Sequence, residues 1–211
     1  MATIKNDLGL NGRVGNVVFY KVGDKTFVRM AGKVNNPNTE KQREVRSRFQ
    51  VAIRFYQKLK KTSLSKVLKI SARGICCNGY MFHMLNNLKV FRADGSIGDF
   101  SQLQFSAGKR QRAYRLKGRI DERGEVVLRW SNDEKKCMAE QEDRLMVLVL
   151  CEGRVFSPEV LENVDAVRKD GMVGFRMWGW SGEALHLYCL FISPDGEQVS
   201  KSQYVCLRGK K

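Results

Sequence analysis

The chain has 211 residues, 43% hydrophobic and 28% charged, values that exclude a disordered polymer and allow a substantial core. It carries 38 Lys and Arg against 22 Asp and Glu, a formal net charge of +16. No apolar run approaches the length of a bilayer span, and Met1-Ala2-Thr3-Ile4-Lys5 lacks the apolar centre of a signal peptide. We therefore expect no membrane segment and a cytoplasmic protein.

The charge is unevenly placed. Residues 1–100 hold 19 Lys and Arg against 6 Asp and Glu, a net +13, whereas residues 101–211 hold 19 against 16, a net +3. This asymmetry, with the turn-rich junction Ala93-Asp94-Gly95-Ser96-Ile97-Gly98, predicts two domains: a basic module over 1–100 and a nearly neutral one over 101–211.

In chain order, Gly12 and Gly15 read as turn glycines. They lack the Lys-Ser/Thr end of a phosphate loop. Asn16 to Val22 and Thr26 to Met30, joined by Gly23-Asp24-Lys25, predict a β-hairpin that needs a packing or pairing partner. The polar turn Asn35-Asn36-Pro37-Asn38 precedes a long helix starting near Thr39, where Thr39 and Gln42 have capping-box spacing. At 100° per residue Val45, Phe49, Ala52, Ile53, Tyr56 and Leu59 share one face, expected to be the core face, with Arg43, Arg46, Arg54, Lys58 and Lys61 roughly opposite. A second basic amphipathic helix is expected over Leu64–Arg73, ended by Gly74. A third runs from Tyr80 to Phe91 with Met81, Met84, Leu85 and Leu88 inward.

Beyond residue 100 the apolar period changes to two. Strands are expected at Tyr114–Ile120, Glu125–Trp130, Arg144–Cys151, Arg154–Phe156, Gly171–Met177, Leu185–Ser193 and Gln198–Leu207, joined by turns such as Asp121-Glu122-Arg123-Gly124 and Ser131-Asn132-Asp133. The expected class is α+β: an N-terminal β-hairpin plus about three helices, then an antiparallel β-sandwich of immunoglobulin or fibronectin type III kind, with Trp130 and Tyr188 in its core.

Groups for catalysis are sparse. His83 and His186 fall in different expected domains, and His186 should face outward from its strand. The six cysteines (Cys76, Cys77, Cys137, Cys151, Cys189, Cys206) contain no Cys-x-x-Cys and read as buried free thiols, so we expect no metal, no cofactor and no enzyme. The cations speak more clearly. Lys21, Lys25 and Arg29 of the hairpin, Arg43, Arg46, Arg54, Lys58 and Lys61 of the first helix, Lys66, Lys69 and Arg73 of the second, and the run Lys109-Arg110-Gln111-Arg112 are the residues we expect to contact phosphates.

Gly12-x-x-Gly15, Val17-Val18, Tyr20, Gly23, Val28-Arg29 and then Asn36-Pro37-x-Thr39-x-x-Gln42-x-x-x-Arg46-x-x-Phe49 form a pattern that resembles an uncharacterised Bacteroidetes family carrying a domain-of-unknown-function name. The same Gly-rich hairpin and Asn-Pro-x-Thr-x-x-Gln-x-x-x-Arg signature is similar to one in phage and prophage proteins with β-rich C-terminal regions. The resemblance implies no activity and no site. Two readings follow. One is a non-enzymatic protein whose basic module binds nucleic acid, or another polyanion, through the phosphate backbone with little sequence preference. The other is a structural protein of a phage-derived or cell-surface assembly, virion-associated rather than cytoplasmic if phage-derived, in which the hairpin supports a homo-oligomer or contacts an assembly partner.

Overall fold

The segment from Gly12 to Met30 is rich in Val, Phe and Tyr and broken by Gly15 and Gly23, and in the computed structural model it forms antiparallel strands. The structure describes residues 2–4, 9–32, 37–131, 140–161 and 164–209. The expected turn residues Asn35-Asn36 and Asn132-Asp133, together with Cys137, lie outside them. Strands β1 (Ala2–Ile4), β2 (Gly12–Val14), β3 (Val17–Val22) and β4 (Lys25–Met30) pair in the order β1-β4-β3-β2. Gly15 and Gly23 have φ of 59° and 60°, the left-handed backbone that the two tight turns demand. The expected hairpin is thus the centre of a four-stranded sheet rather than a lone ribbon, which relieves its marginal stability.

The chain divides into two compact units, Met1–Thr39 and Glu40–Lys211. The second contains helices α1 (Glu40–Leu59), α2 (Leu64–Ala72) and α3 (Gly79–Asn87). Gly74, at φ 75°, follows α2, and the Asn78 side chain caps α3 by accepting the Met81 amide at 2.9 Å. Seven strands follow among the described residues: β5 (Tyr114–Ile120), β6 (Glu125–Ser131), β7 (Arg144–Cys151), β8 (Glu159–Val160), β9 (Met172–Arg176), β10 (Leu185–Ile192) and β11 (Gln203–Leu207). They form two antiparallel sheets, β11-β10-β7-β8 and β5-β6-β9. The α+β class expected from the sequence is what forms. Residues 152–154 are a 3-10 turn where a strand was expected to begin at Arg154.

β7 and β10 pair over eight positions, from Leu185 opposite Cys151 to Ile192 opposite Arg144, and both of their faces are buried. Leu148, Leu150, Tyr188 and Leu190 share a core with Phe55, Leu59, Leu68, Phe82 and Phe91 of the helical segment. Val147, Val149, Leu187 and Phe191 point the other way and share a second core with Val126, Leu128, Trp130 and Phe175 of the three-stranded sheet. Residues on both sides of position 100 therefore meet in one core. Gly118 of β5 lies where β11 comes close: a Cβ there would sit 2.9 Å from side-chain atoms of Leu128 and Leu207.

The buried face of α1 is Val51, Ala52, Phe55 and Leu59. It lies about a quarter turn from the expected face. Ala52 and Leu59 belong to both, but Val45 and Phe49 are exposed, and Ile53 and Tyr56 are only partly buried. Full burial begins at Val51, so the apolar residues of the first turns pulled the sequence pattern round. In α3, Phe82, His83 and Met84 are buried, while Met81 and Leu85 are exposed against expectation.

Phe55 is 0% exposed and touches the rings of Phe91, Phe105 and Phe156, with centroids 5.3–6.2 Å away. Phe55→Ala should cost about 3–5 kcal/mol in urea unfolding, the usual range for a buried Phe. Phe49 is 40% exposed, and Phe49→Ala should cost less than about 1 kcal/mol.

Candidate functional site

Residues 40–92 hold 13 Lys and Arg against 2 Asp and Glu. Because the inner faces of α1 and α2 are committed to the core, their cations are left outside. Arg43, Arg46, Arg54, Lys58, Lys61, Lys66, Lys69 and Arg73 are all exposed. Arg43, Arg54 and Lys58 fall within about 60° of one another around α1, a helix about 30 Å long. Among the described residues none of these three is in an ion pair, whereas Arg73 is engaged by Glu197 at 2.6 Å. Arg43, Arg54 and Lys58 thus form one stripe, with Lys61 just past its end.

The other expected contacts are not all gathered. Strand register places Lys25 and Arg29 on one face of the β1-β4-β3-β2 sheet, beside Tyr20 and Phe27, whose rings stack at 5.7 Å. Lys21, opposite Thr26, takes the other face. All three are exposed.

Within the run 109–112, Lys109 and Arg112 are exposed but Arg110 is buried, which corrects its expected role as a surface phosphate contact. Its guanidinium meets Glu140 at 2.5 Å and Asp143 at 3.6 Å. Asp143 is fully buried and also takes Arg168 at 3.2 Å, and Arg168 donates to the Gln111 carbonyl at 2.6 Å and lies 3.9 Å over the Phe191 ring. Burial pulls the Arg168 guanidinium below its ordinary pKa, and Asp143 opposes that shift. A pattern of adjacent cations cannot reveal that one turns inward to a carboxylate 33 positions later. Asp143→Ala should leave two guanidiniums without their buried counter-charge and cost about 3–5 kcal/mol in chemical denaturation.

Both histidines are structural in their surroundings. His186 is buried, not outward-facing: β10 is covered on both sides, and the imidazole stacks on Phe100 at 3.7 Å and 2° while Nδ1 meets the Tyr204 hydroxyl at 2.8 Å. His83 is fully buried in the helical core. Its Nε2 lies 3.2 Å from the Ala52 carbonyl and must donate, so Nδ1 accepts from the Asn87 side-chain amide at 3.1 Å. Asn87 in turn exchanges hydrogen bonds with the Gln104 backbone at 2.8 and 2.9 Å. Burial lowers the His83 pKa from 6.5 to about 4. The unfolded chain takes up this proton near pH 6.5 and the folded one only near pH 4, so His83 removes stability as pH falls through that window. The loss is about 3 kcal/mol in all, on linkage grounds. His83→Gln, which cannot titrate, should flatten the difference in urea midpoint between pH 7 and pH 4.5.

The cysteines were expected to be buried, but of Cys76, Cys77, Cys151, Cys189 and Cys206 only Cys189 is. Among the described residues no three His, Cys, Asp or Glu side chains converge to hold a metal ion, and no helix is long and apolar enough to cross a membrane. A cleft of about 740 Å³ lies beside α2, lined by apolar Val67, Ile70, Met146 and Ile192 and edged by Lys66, Arg144, Asp165 and Asp195. Its wall also holds Ser193, whose hydroxyl donates to the Asp195 carboxylate.

A mixed α+β protein with packed inner layers and a cationic outer helical stripe is the class these observations define. The chain belongs to the family of unknown function DUF6266, whose model matches residues 9–206. No curated protein matches it.

Proposed function

We propose that the protein is a non-enzymatic binder of nucleic acid that grips the phosphate backbone with little sequence preference. The observation that carries this reading is the stripe Arg43, Arg54 and Lys58, exposed along one side of α1, outside ion pairs among the described residues, in a segment almost devoid of carboxylates. Several cations projecting from a rigid helix suit a polyanion, since each neutralised phosphate releases condensed counterions. A solvated cationic face is the ordinary fate of a single helix, but here the excess continues through Lys61 and Lys69. The two antiparallel sheets that share the second core support a sandwich of immunoglobulin or fibronectin type III kind, an architecture suited to binding. Helices on the far face of β7 and β10 set it apart from a free-standing sandwich.

A second reading is a structural protein of an assembly, in keeping with the phage-like signature. Val14, Val17 and Met30 form one cross-strand row on the N-terminal sheet, and its two ends, Val14 and Met30, are exposed. Light scattering tests this: a monomer at every accessible concentration would count against it.

Reversing charge at Arg43, Arg54 and Lys58 together should weaken binding to any nucleic acid sequence and lower the slope of log affinity against log salt by about 2–3. Stability should change by less than about 0.5 kcal/mol per site. Affinity insensitive to salt, or no binding of any DNA or RNA at low salt, would sink the proposal.

A further inference from the structure

Residues 101–211 are nearly neutral in sum, yet one face of their three-stranded sheet carries more cations than carboxylates. In the three-stranded sheet, Val126, Leu128, Trp130 and Phe175 are turned to the core, so register assigns the opposite, outer face to the alternate positions. Lys117 stands directly opposite Arg129, and Arg129 opposite Met172. Arg119 stands opposite Val127, and Val127 opposite Gly174, while Glu125 faces Arg176. The outer face thus carries Lys117, Arg119, Arg129 and Arg176 against the single carboxylate of Glu125 within the strands.

Three features show that this face is more than a scatter of surface charge. First, Lys117 and Arg129 are like charges at paired positions, an arrangement that costs stability unless anions balance it, and the cleft they line with Arg115 holds one carboxylate, Asp170, against three cations. Second, β5 carries a bulge between Tyr114 and Lys117, with Arg115 in the left-handed region at φ 52°. The extra residue inverts the alternation, so Tyr114, opposite Ser131, shares the face of Lys117 instead of the core. Its exposed ring has the Arg115 guanidinium 5.1 Å from its centroid. Third, Trp178, 77% exposed, follows the far end of β9, with the Arg176 guanidinium 4.6 Å from its ring centroid.

We infer that the outer face of the β5-β6-β9 sheet is a binding site for single-stranded nucleic acid, with the cations on phosphates and Trp178 and Tyr114 stacking bases at the two ends of the strip. This rests on the nucleic-acid reading above and adds a second surface to it, together with the form of the ligand. From Ser131 to Glu125 the strip is about 20 Å long at the rise of a β-strand, room for a few nucleotides. Exposed aromatic faces favour a single strand, because the bases of a duplex are already stacked on one another. Gly174 leaves the middle of the strip open: a Cβ there would have only the Val126 carbonyl within 4 Å, at 3.9 Å. The carboxylates of Asp121 and Glu122 stand in the turn beside Arg119 and Arg123 and bound that edge of the face.

The test is fluorescence anisotropy of the full chain with a labelled single-stranded oligonucleotide of about twelve nucleotides, titrated over a range of salt. Lys117→Glu with Arg119→Glu should weaken binding about tenfold or more and lower the salt slope by about 1.4, two phosphate contacts. Trp178→Ala should weaken binding about tenfold with the salt slope unchanged. Arg129→Glu should weaken binding while raising the Tm by about 1–3 °C, because it converts a repulsive pair with Lys117 into an attractive one. A purely structural residue would not give that pairing of effects.

If the sheet variants bind as the wild type does while the Arg43, Arg54 and Lys58 reversal abolishes binding, the sheet-face site is overturned and the helix-stripe proposal stands. If the wild type binds no oligonucleotide at low salt, both fall. Equal affinity for a duplex of the same length, with Trp178→Ala silent, would overturn the single-strand assignment. Equally effective competition by polyglutamate would overturn the nucleic-acid assignment.

Discussion

An antiparallel strand pair that is apolar on both faces cannot stand against water on either side, and the rest of the Glu40–Lys211 unit follows from covering β7 and β10 twice. Tyr188 and Leu190 need a cover, and the helices bring Phe55, Phe82 and Phe91 to them. Leu187 and Phe191 need another, and β6 and β9 bring Leu128, Trp130 and Phe175. Antiparallel sheets commonly leave one face to solvent; this one does not. Among the described residues of this unit, exposed cations lie on the outside of the helices and on the outside of the three-stranded sheet.

Double coverage also explains which parts of the fold were legible in the sequence. β5 and β7 match their expected bounds residue for residue, because turn residues punctuate them sharply. Even the continuous run from Leu145 to Leu150, which lacks strict alternation, was readable as a strand from its length and branched residues. Its meaning was not. A run of that kind announces burial on both faces, and from that alone the helices could have been placed on the sheet and the boundary near residue 100 questioned. The turned face of α1 has the same origin. Phe55 lies about 80° and 120° around the helix from the exposed Val45 and Phe49, and only the sheet's demand for a cover selects it. β8 is two residues long and leaves no pattern.

The polar residues divide similarly. Asn78 as a helix cap and Gly74 as a helix stop are local effects, and Gly74 was legible locally. His83 and Arg110 depend on partners far along the chain: the Ala52 carbonyl for one, Asp143 and Glu140 for the other. Neither partner carries a sequence signal. Each network ties the segment after the helices to an element of the core, His83 and Asn87 to the backbone at Gln104, and Arg168 to the backbone at Gln111. Such directional contacts fix a register that non-directional apolar packing leaves loose.

Net charge by halves does not say where charge lies in the second half, because it counts every carboxylate alike wherever it sits. Many of these carboxylates are occupied by the backbone. Asp121 accepts the amides of Arg123 and Glu125, Asp170 that of Val167, and Asp195 that of Glu197. Hydrogen bonds from Ser193 and the Glu197 amide hold the Asp195 carboxyl below its usual range, as those from Ser101 do for Asp99. Asp143 is buried between two guanidiniums. These acids sit in turns and inside the fold, where backbone amides need acceptors, whereas Lys117, Arg119 and Arg129 sit on strands facing outward. The fold thereby places carboxylates in turns and inside the fold, and cations on a sheet face. The number that matters for a polyanion is the charge on a face, and no sum along the chain contains it.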